Sequence, residues 1–475
     1  MRVAPWVVAS TVLFAGTLQP AGAAPGSTST KIPQAALQAA TQLREQALHS
    51  PLGFQIVESL TTQVGPRMAG SAGDARAVEW AQAKFKALGY DKVWLEEVRF
   101  PKWERRGEHA AILGTHAQPL TVAALGGSPG GTVEAPVVRF ADLAALEAAP
   151  AGSLAGKIAF VDHPMERARD GAGYGAASKI RSRGPSAAIR AGAAAYLMRP
   201  AGTDSHRNAH TGITRFDAGL TPIPSASLSN PDADQLARLL AQGPVSVRVA
   251  LDCGWNGEAV SYNVIGDIRG ARKPNEVVLI GGHLDSWDQG TGAIDDGAGV
   301  GLTMAAGALI GQMKKRPART IRVVAFANEE QGLYGGKAYA AQHADEIARH
   351  VIAAESDFGA GRVYAFRSGA PERAQGAVAQ IAQALAPLGI VHSPEEGGPG
   401  PDISPFAERG LAWAALRQDG SDYFDYHHTP DDTLDKVDPQ ALAQNVAAYA
   451  VFAYLAASAE GDFGSEAKAV TPPSE

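Results

Sequence analysis

From residue 260 onward, short apolar runs alternate with longer stretches whose apolar residues recur at helical spacing. The runs at 262–268, 276–280, 321–327, 351–354, 363–366 and 412–416 predict strands. The stretches at 297–313, 333–348, 371–386, 404–410 and 439–457 predict the helices between them. Alternation of this kind predicts an α/β fold, a three-layer α/β/α domain whose central sheet is mixed and mostly parallel. Upstream, 32–48 and 53–89 carry helical spacing, the second broken at Gly65-Pro66-Arg67 and at Gly70-Ser71. Residues 93–100 (VWLEEVRF) alternate as a strand, and a second strand region begins at Lys102-Trp103.

Near residue 120 the pattern changes. Strand-like pieces at 137–138, 158–161, 195–197 and 245–251 alternate with Ala-rich helical pieces at 186–194 and 231–241. The expected organisation is a segment 24–120 that begins the main domain, an insert at 121–254, and the rest of the main domain at 255–460. A small, charged, Pro-containing tail at 461–475 reads as disordered. A chain of 475 residues has room for two or three such units.

Composition narrows the class. Hydrophobic residues make up 45% and mean hydropathy is -0.10, as in a soluble globular protein. A net charge of -7 and a pI near 6.0 carry no signal for nucleic acid or membrane partners. With one cysteine, Cys253, no intrachain disulfide can form and a cysteine-ligated zinc cluster is excluded; Cys253 reads as a small buried residue. The N-terminus has Arg2, an apolar run at 7–18, then Pro20 and Ala21-Gly22-Ala23, the pattern of a secretory signal peptide spanning 1–23. This predicts a secreted or periplasmic protein. No other window is expected to reach transmembrane length.

The candidate chemistry lies where strands end. The stretch 277–299 reads VVLIGGHLDSWDQGTGAIDDGAG, so an apolar strand releases His283 and Asp285 and leads through a Gly-rich turn to Asp295-Asp296. The strand at 321–327 leads to Asn328-Glu329-Glu330, and that at 351–354 to Glu355-Ser356-Asp357. After 412–416 a loop brings His427-His428-Thr429-Pro430-Asp431-Asp432-Thr433. Sites in open α/β sheets lie beyond the carboxyl ends of strands. Two imidazoles and three carboxylates, one of them shared, suit two zinc ions where cysteine is absent. A further carboxylate is then needed to move the proton of an attacking water, and Glu329 and Glu330 can divide these tasks. His163, Asp204, His206 and His210 lie in Gly/Arg/Ser-rich sequence without ligand spacing and read as solvated loop polars. Asp402 reads either as a loop group near the site or as a helix N-cap, and Asp432 as a brace for its loop.

These motifs resemble the di-zinc aminopeptidase family that includes bacterial leucyl aminopeptidases and glutamate carboxypeptidase II. HLDSWDQGTGAIDDGAG, NEEQGLYG, ESDFG, HHTPDDT and GPRMAGS look most like its carboxypeptidase Q branch. The resemblance covers nearly the whole chain after the signal peptide, and the insert would match a protease-associated-type domain. It implies a zinc exopeptidase that cuts the N-terminal bond of dipeptides or short peptides by metal-activated water attack. It implies that His283 and Asp357 hold one zinc, Glu330 and His428 the other, and that Asp295 bridges them. HT-x-x-DT spacing favours His428 over His427. Glu329 would be the general base and then acid, Asp285 would orient His283, and the Asp295-Asp296 peptide would be cis. A homodimer is also implied. Two other readings share the fold: a receptor without catalysis, as in the transferrin receptor, and a mono-zinc acyl transferase of the glutaminyl cyclase type.

Overall fold

The computed structural model describes residues 29–393 and 398–468. The signal peptide expected at 1–23 lies outside the described residues.

Three strands carry the architecture: Lys273–His283, Arg319–Phe326 and His350–Glu355. Lys273–His283 is central and pairs in parallel with the other two. Their continuous apolar runs follow from burial on both faces. Val278, Ile280, Ile321 and Val323 point into one core; Val277, Leu279, Val324 and Phe326 point into another. The first core is covered by the helices Gln34–Leu48, Leu52–Gln63, Ala72–Ala87, Ala298–Gly311 and Pro439–Ser458, the second by Tyr334–Gln342 and Ser404–Glu408. The expected three-layer fold with a mixed sheet is present.

Two helices meet the length and apolarity of a membrane span, contrary to the expectation that no window after the signal does so: Ala293–Gly311 and Pro439–Ser458. Both are packed inside the protein. A helix apolar on all sides needs a core around it, and here the sheet and the other helices supply one.

Two strands are much longer than the pattern predicted. Lys92–Ile112 and Ser246–Ile268 pair antiparallel along most of their length. The irregularities at Pro101/Trp103 and Arg105/Gly107 hide their continuity from a reading based on alternation. One end of Ser246–Ile268 pairs with Arg319–Phe326 and the other with Gly131–Phe140. One hydrogen-bonded ladder therefore runs from the main sheet into the strands Ile158–Val161, Ala195–Met198 and Ser225–Leu228, and residue 254 lies inside it. The strand expected at 412–416 is Ala414–Gln418. It belongs to a separate three-stranded sheet with Val363–Ser368, tied to the main sheet by a bridge from Trp413 to Ala353.

Two further expectations fail. The helix Tyr174–Arg190 occupies Gly- and Arg-rich sequence of which only the last part read as helical. Pro185 inside it cannot donate to the Arg181 carbonyl, and the Thr214 hydroxyl donates there instead at 2.7 Å. The tail is ordered through residue 468, because Phe463 is fully buried and Glu466 and Lys468 donate backbone bonds to Gly410 and Arg409.

Candidate metal centre

Because the three parallel strands are in close register, Phe326 opposite His283 and Glu355 opposite Gly281, their polar exits meet at one edge. His283 ends its strand with the ring buried. Its Nε2 lies 3.1 Å from Asp295 Oδ1 and 3.5 Å from Asp357 Oδ1. The second histidine arrives on the loop after Ala414–Gln418. His428 Nε2 lies 2.9 Å from Glu330 Oε2 and 3.3 Å from Asp295 Oδ2. The two oxygens of Asp295 thus face two different imidazole–carboxylate pairs. His427 stacks on His428 at 3.5 Å, and its Nε2 is 3.6 Å from Asp295 Oδ2.

These spacings fit bound cations. Ligands about 2.0–2.1 Å from a tetrahedral zinc lie roughly 3.4 Å apart along each edge. Asp295 Oδ2 and Glu330 Oε1 are buried without hydrogen-bond partners, as oxygens reserved for a metal would be. The electrostatics agree. Burial alone would lower both histidines, but the surrounding carboxylates outweigh it, holding His283 well above its ordinary value and raising His428 to about 9. Burial and neighbouring carboxylates hold Glu329 well above the usual carboxylate range. So many buried acids facing two imidazoles call for positive charge between them.

The Gly-rich turn that delivers Asp295 is held by atoms far away in sequence. Asp432 Oδ1 accepts from Ala293 and Ile294 N–H at 2.7 and 2.8 Å, and Oδ2 accepts from Asp295 N–H at 3.2 Å. Asp432 therefore braces the turn as well as its own loop. Asp296 accepts from His283 N–H and from Gly299 N–H, both at 3.0 Å, and the Asp295-Asp296 peptide is cis. A Cβ on Gly299 would lie 2.1 Å from the Ser356 carbonyl oxygen, so only glycine fits there. Arg67, from the GPRMAGS motif, is fully buried and donates to the carbonyls of Leu284, Thr291 and Gly292.

Asp285 lies beside His283, with Oδ1 3.6 Å from Nδ1, while its backbone carbonyl is nearer at 3.1 Å. Its carboxylate accepts from Glu329 N–H at 3.0 Å and from Glu330 N–H at 3.4 Å, so it also sets the turn that aims both glutamates. Trp287 Nε1 donates to Glu330 Oε2 at 2.7 Å. Asp402 accepts from Gly336 N–H in the first turn of Tyr334–Gln342 at 3.1 Å; the cap it forms belongs to another helix than the one it precedes.

The segment 204–215 holds the histidine loop. His428 has a left-handed backbone, φ 61°, and Thr211 clamps it from both sides. Thr211 N–H donates to the His428 carbonyl, and the Thr211 carbonyl oxygen lies 3.1 Å from His428 Nδ1. His210 is buried, its Nδ1 2.7 Å from the His427 carbonyl oxygen and its Nε2 2.8 Å from Asp204 Oδ1. Asp204 and His210 are therefore internal supports and not solvated loop polars. The His427 carbonyl that His210 meets lies 217 positions away, which no local pattern reveals.

A cavity of about 510 Å³ opens beside these groups. It is lined by Asp295, Glu329, Glu330, Asp357, His427 and His428, and from the middle segment by Tyr174, Arg181, Ile213 and Arg215. The middle-segment residues were not foreseen.

The sequence profile of Peptidase family M28 matches residues 263–453. Carboxypeptidase Q of Homo sapiens is 32% identical over 413 residues, 86% of this chain and 85% of that protein. The crystal structure of a Peptidase M28 precursor from Shewanella amazonensis aligns with a TM-score of 0.88 at 49% identity, covering 92% of this chain and 99% of that one. A zinc aminopeptidase from Bacillus subtilis shares the fold, with a TM-score of 0.64 at 20% identity over 88% of this chain and 98% of its own.

Proposed function

The chain belongs to peptidase family M28, a metallopeptidase by its relatives, and from that premise we propose that it is an exported di-zinc exopeptidase acting on dipeptides or short peptides. The observation that carries the proposal is the bifacial Asp295, one oxygen toward His283 and Asp357, the other toward His428 and Glu330. On this reading His283 and Asp357 hold one zinc, Glu330 and His428 the other, and Asp295 bridges. His428 is preferred to His427 because it also reaches Glu330 at 2.9 Å. Zinc held there would make a bound water acidic near neutral pH and polarise the scissile carbonyl.

The remaining work falls to the protein. Glu329 faces the cavity beside Glu330, its backbone fixed by Asp285. It takes the proton of the attacking water and returns it to the leaving amine. Asp285 keeps the His283 ring in place and aims the Glu329-Glu330 turn. Segment 121–254 is an insert whose 204–215 stretch positions the second histidine. Export follows from the sequence of residues 1–23.

Glu329→Ala tests the assignment. Hydrolysis of dipeptides and aminoacyl substrates should fall by about 10²–10⁴-fold, while zinc stays near two per chain. Retained activity rejects the role of Glu329. One zinc per fully loaded chain would support the acyl-transferase reading.

A further inference from the structure

A cleft of about 890 Å³ opens at the amino ends of the three parallel strands, away from the carboxyl ends that carry the metal centre. Lys92, Arg269, Arg316, Arg322 and Arg349 line it beside three acids, Asp91, Asp267 and Glu346. Each of those acids already holds an arginine. Asp91 pairs with Arg316 at 2.9 Å, Asp267 with Arg322 at 2.9 Å and Glu346 with Arg349 at 2.5 Å. Asp91 Oδ2 also accepts from the Arg269 backbone N–H at 2.7 Å. The charge left over is positive. Among the described residues Lys92 and Arg269 form no ion pair, nor do Arg272, Lys314 and Lys315 on the adjoining loops, and all five are exposed. The net charge of -7 for the whole chain hides this patch.

Two loops held against each other build the patch. Ala271 N–H donates to the Pro317 carbonyl at 2.9 Å, and Arg272 and Lys273 N–H donate to the Ala318 carbonyl at 3.1 and 2.7 Å. Gly270 N–H donates to Thr320 Oγ1 at 3.1 Å. A Cβ on Gly270 would lie 2.3 Å from the Arg319 carbonyl carbon, so only glycine lets the loops come this close. Arg269 and Arg272 of one loop are thereby set beside Lys314-Lys315-Arg316 of the other. Lys92 Nζ lies 4.1 Å and Arg322 Cζ 4.8 Å from the Trp94 ring centroid, which holds both cations at the cleft. The C-terminal dipole of Ala298–Gly311 favours cations at Lys314 and Lys315. It does not account for Arg269 and Arg272, which follow the strand Ser246–Ile268. Like charges fixed side by side without counter-charges attract a ligand of opposite sign.

We propose that this cleft is a binding site for a small polyanion carrying several sulfate or phosphate groups. Guanidinium forks match the paired oxygens of such groups. A single charge gains little from an exposed cation in water. Several charges on one scaffold engage Lys92, Arg269 and the neighbouring loop cations together. The oxyanions have two sources, a free ligand in solution or the headgroup of an anionic lipid. Because the cleft faces away from the metal centre, its ligand leaves peptide hydrolysis unchanged, and the proposal does not depend on the exopeptidase reading.

Calorimetry on the zinc-loaded full chain with sucrose octasulfate tests the site. One ligand should bind per chain, and raising salt from about 50 to about 300 mM should weaken binding by at least about tenfold. Arg269→Glu/Lys315→Glu should weaken it by about 100-fold, while Arg238→Glu/Lys179→Glu, the same change in net charge placed on the middle segment, should stay within about threefold. Ala-Leu hydrolysis should be the same in both double variants and with ligand bound. Vesicles of phosphatidylglycerol and phosphatidylcholine distinguish the sources. Co-sedimentation that Arg269→Glu/Lys315→Glu abolishes assigns a lipid headgroup; octasulfate binding without co-sedimentation assigns a free ligand. No binding at about 1 mM octasulfate, equal losses in the two double variants, or binding that blocks hydrolysis overturns the proposal. If charge reversal impairs folding, Arg269→Gln/Lys315→Gln decides by the same comparison, with a loss of about tenfold expected.

Discussion

Replacing Arg67 with methionine should cost about 3–5 kcal/mol of stability, the usual price of breaking a buried charged network from one side. Methionine fills much of the same volume, so packing is largely kept and the loss is polar. Three backbone carbonyls lose their donor: those of Leu284, Thr291 and Gly292, the last two held at 2.6 and 2.8 Å. Bonds from a charged donor contribute about 1.5–3 kcal/mol each, partly offset because methionine avoids desolvating a guanidinium. The carboxylates of Asp432, Asp285, Asp296 and Asp295 also lose a nearby positive charge. Arg67→Lys keeps the charge but has no planar fork to reach three acceptors, so it should recover no more than about half of the loss. Urea unfolding of parent and variants, with zinc saturating and again with a chelator, separates scaffold stability from stabilisation by bound metal. A methionine variant within about 1 kcal/mol of the parent under both conditions would refute the role given to Arg67.

Trp287→Phe keeps most of the packing against Trp103 but removes the donor to Glu330 Oε2. Zinc affinity at the Glu330 site should weaken by about 10–100-fold in competition with a chelator; unchanged affinity counts against the orienting role. His350 is fully buried, and burial lowers its pKa to about 3, with its ring nitrogens 2.8 Å from the Tyr339 hydroxyl and 3.0 Å from the Glu346 carbonyl oxygen. The unfolded chain takes up this proton first, near pH 6.5, so the contribution is complete above that pH. Stability should then fall by about 1.4 kcal/mol per pH unit as pH drops from about 6.5 toward 3. His350→Gln should flatten this limb by one proton's slope in denaturant titrations across that range, and an unchanged slope would exclude His350 as the group.

Much of the site was legible because it is written at strand exits. Val277 to Ile280 reads as a strand buried on both faces, and parallel pairing then forces His283, Glu330 and Asp357 to one edge. The brace at Asp432 could be anticipated for its loop, though not its reach to Ala293, Ile294 and Asp295. The rest depends on contacts that local pattern does not encode. Pro185 and its Gly- and Arg-rich neighbours read as loop, yet the Thr214 hydroxyl supplies the bond that proline cannot. Asp204 and His210 read as solvated because the contact that buries His210 comes from the distant His427 carbonyl. Phe463 sits in polar sequence that suggested disorder, but its ring completes the core.

The most direct measurement is a crystal structure of the zinc-loaded protein with anomalous data collected across the zinc edge. Two peaks are predicted, one between His283 and Asp357 and one between Glu330 and His428, each in contact with a different oxygen of Asp295. A single peak, or two peaks of which neither touches Asp295, would contradict the account.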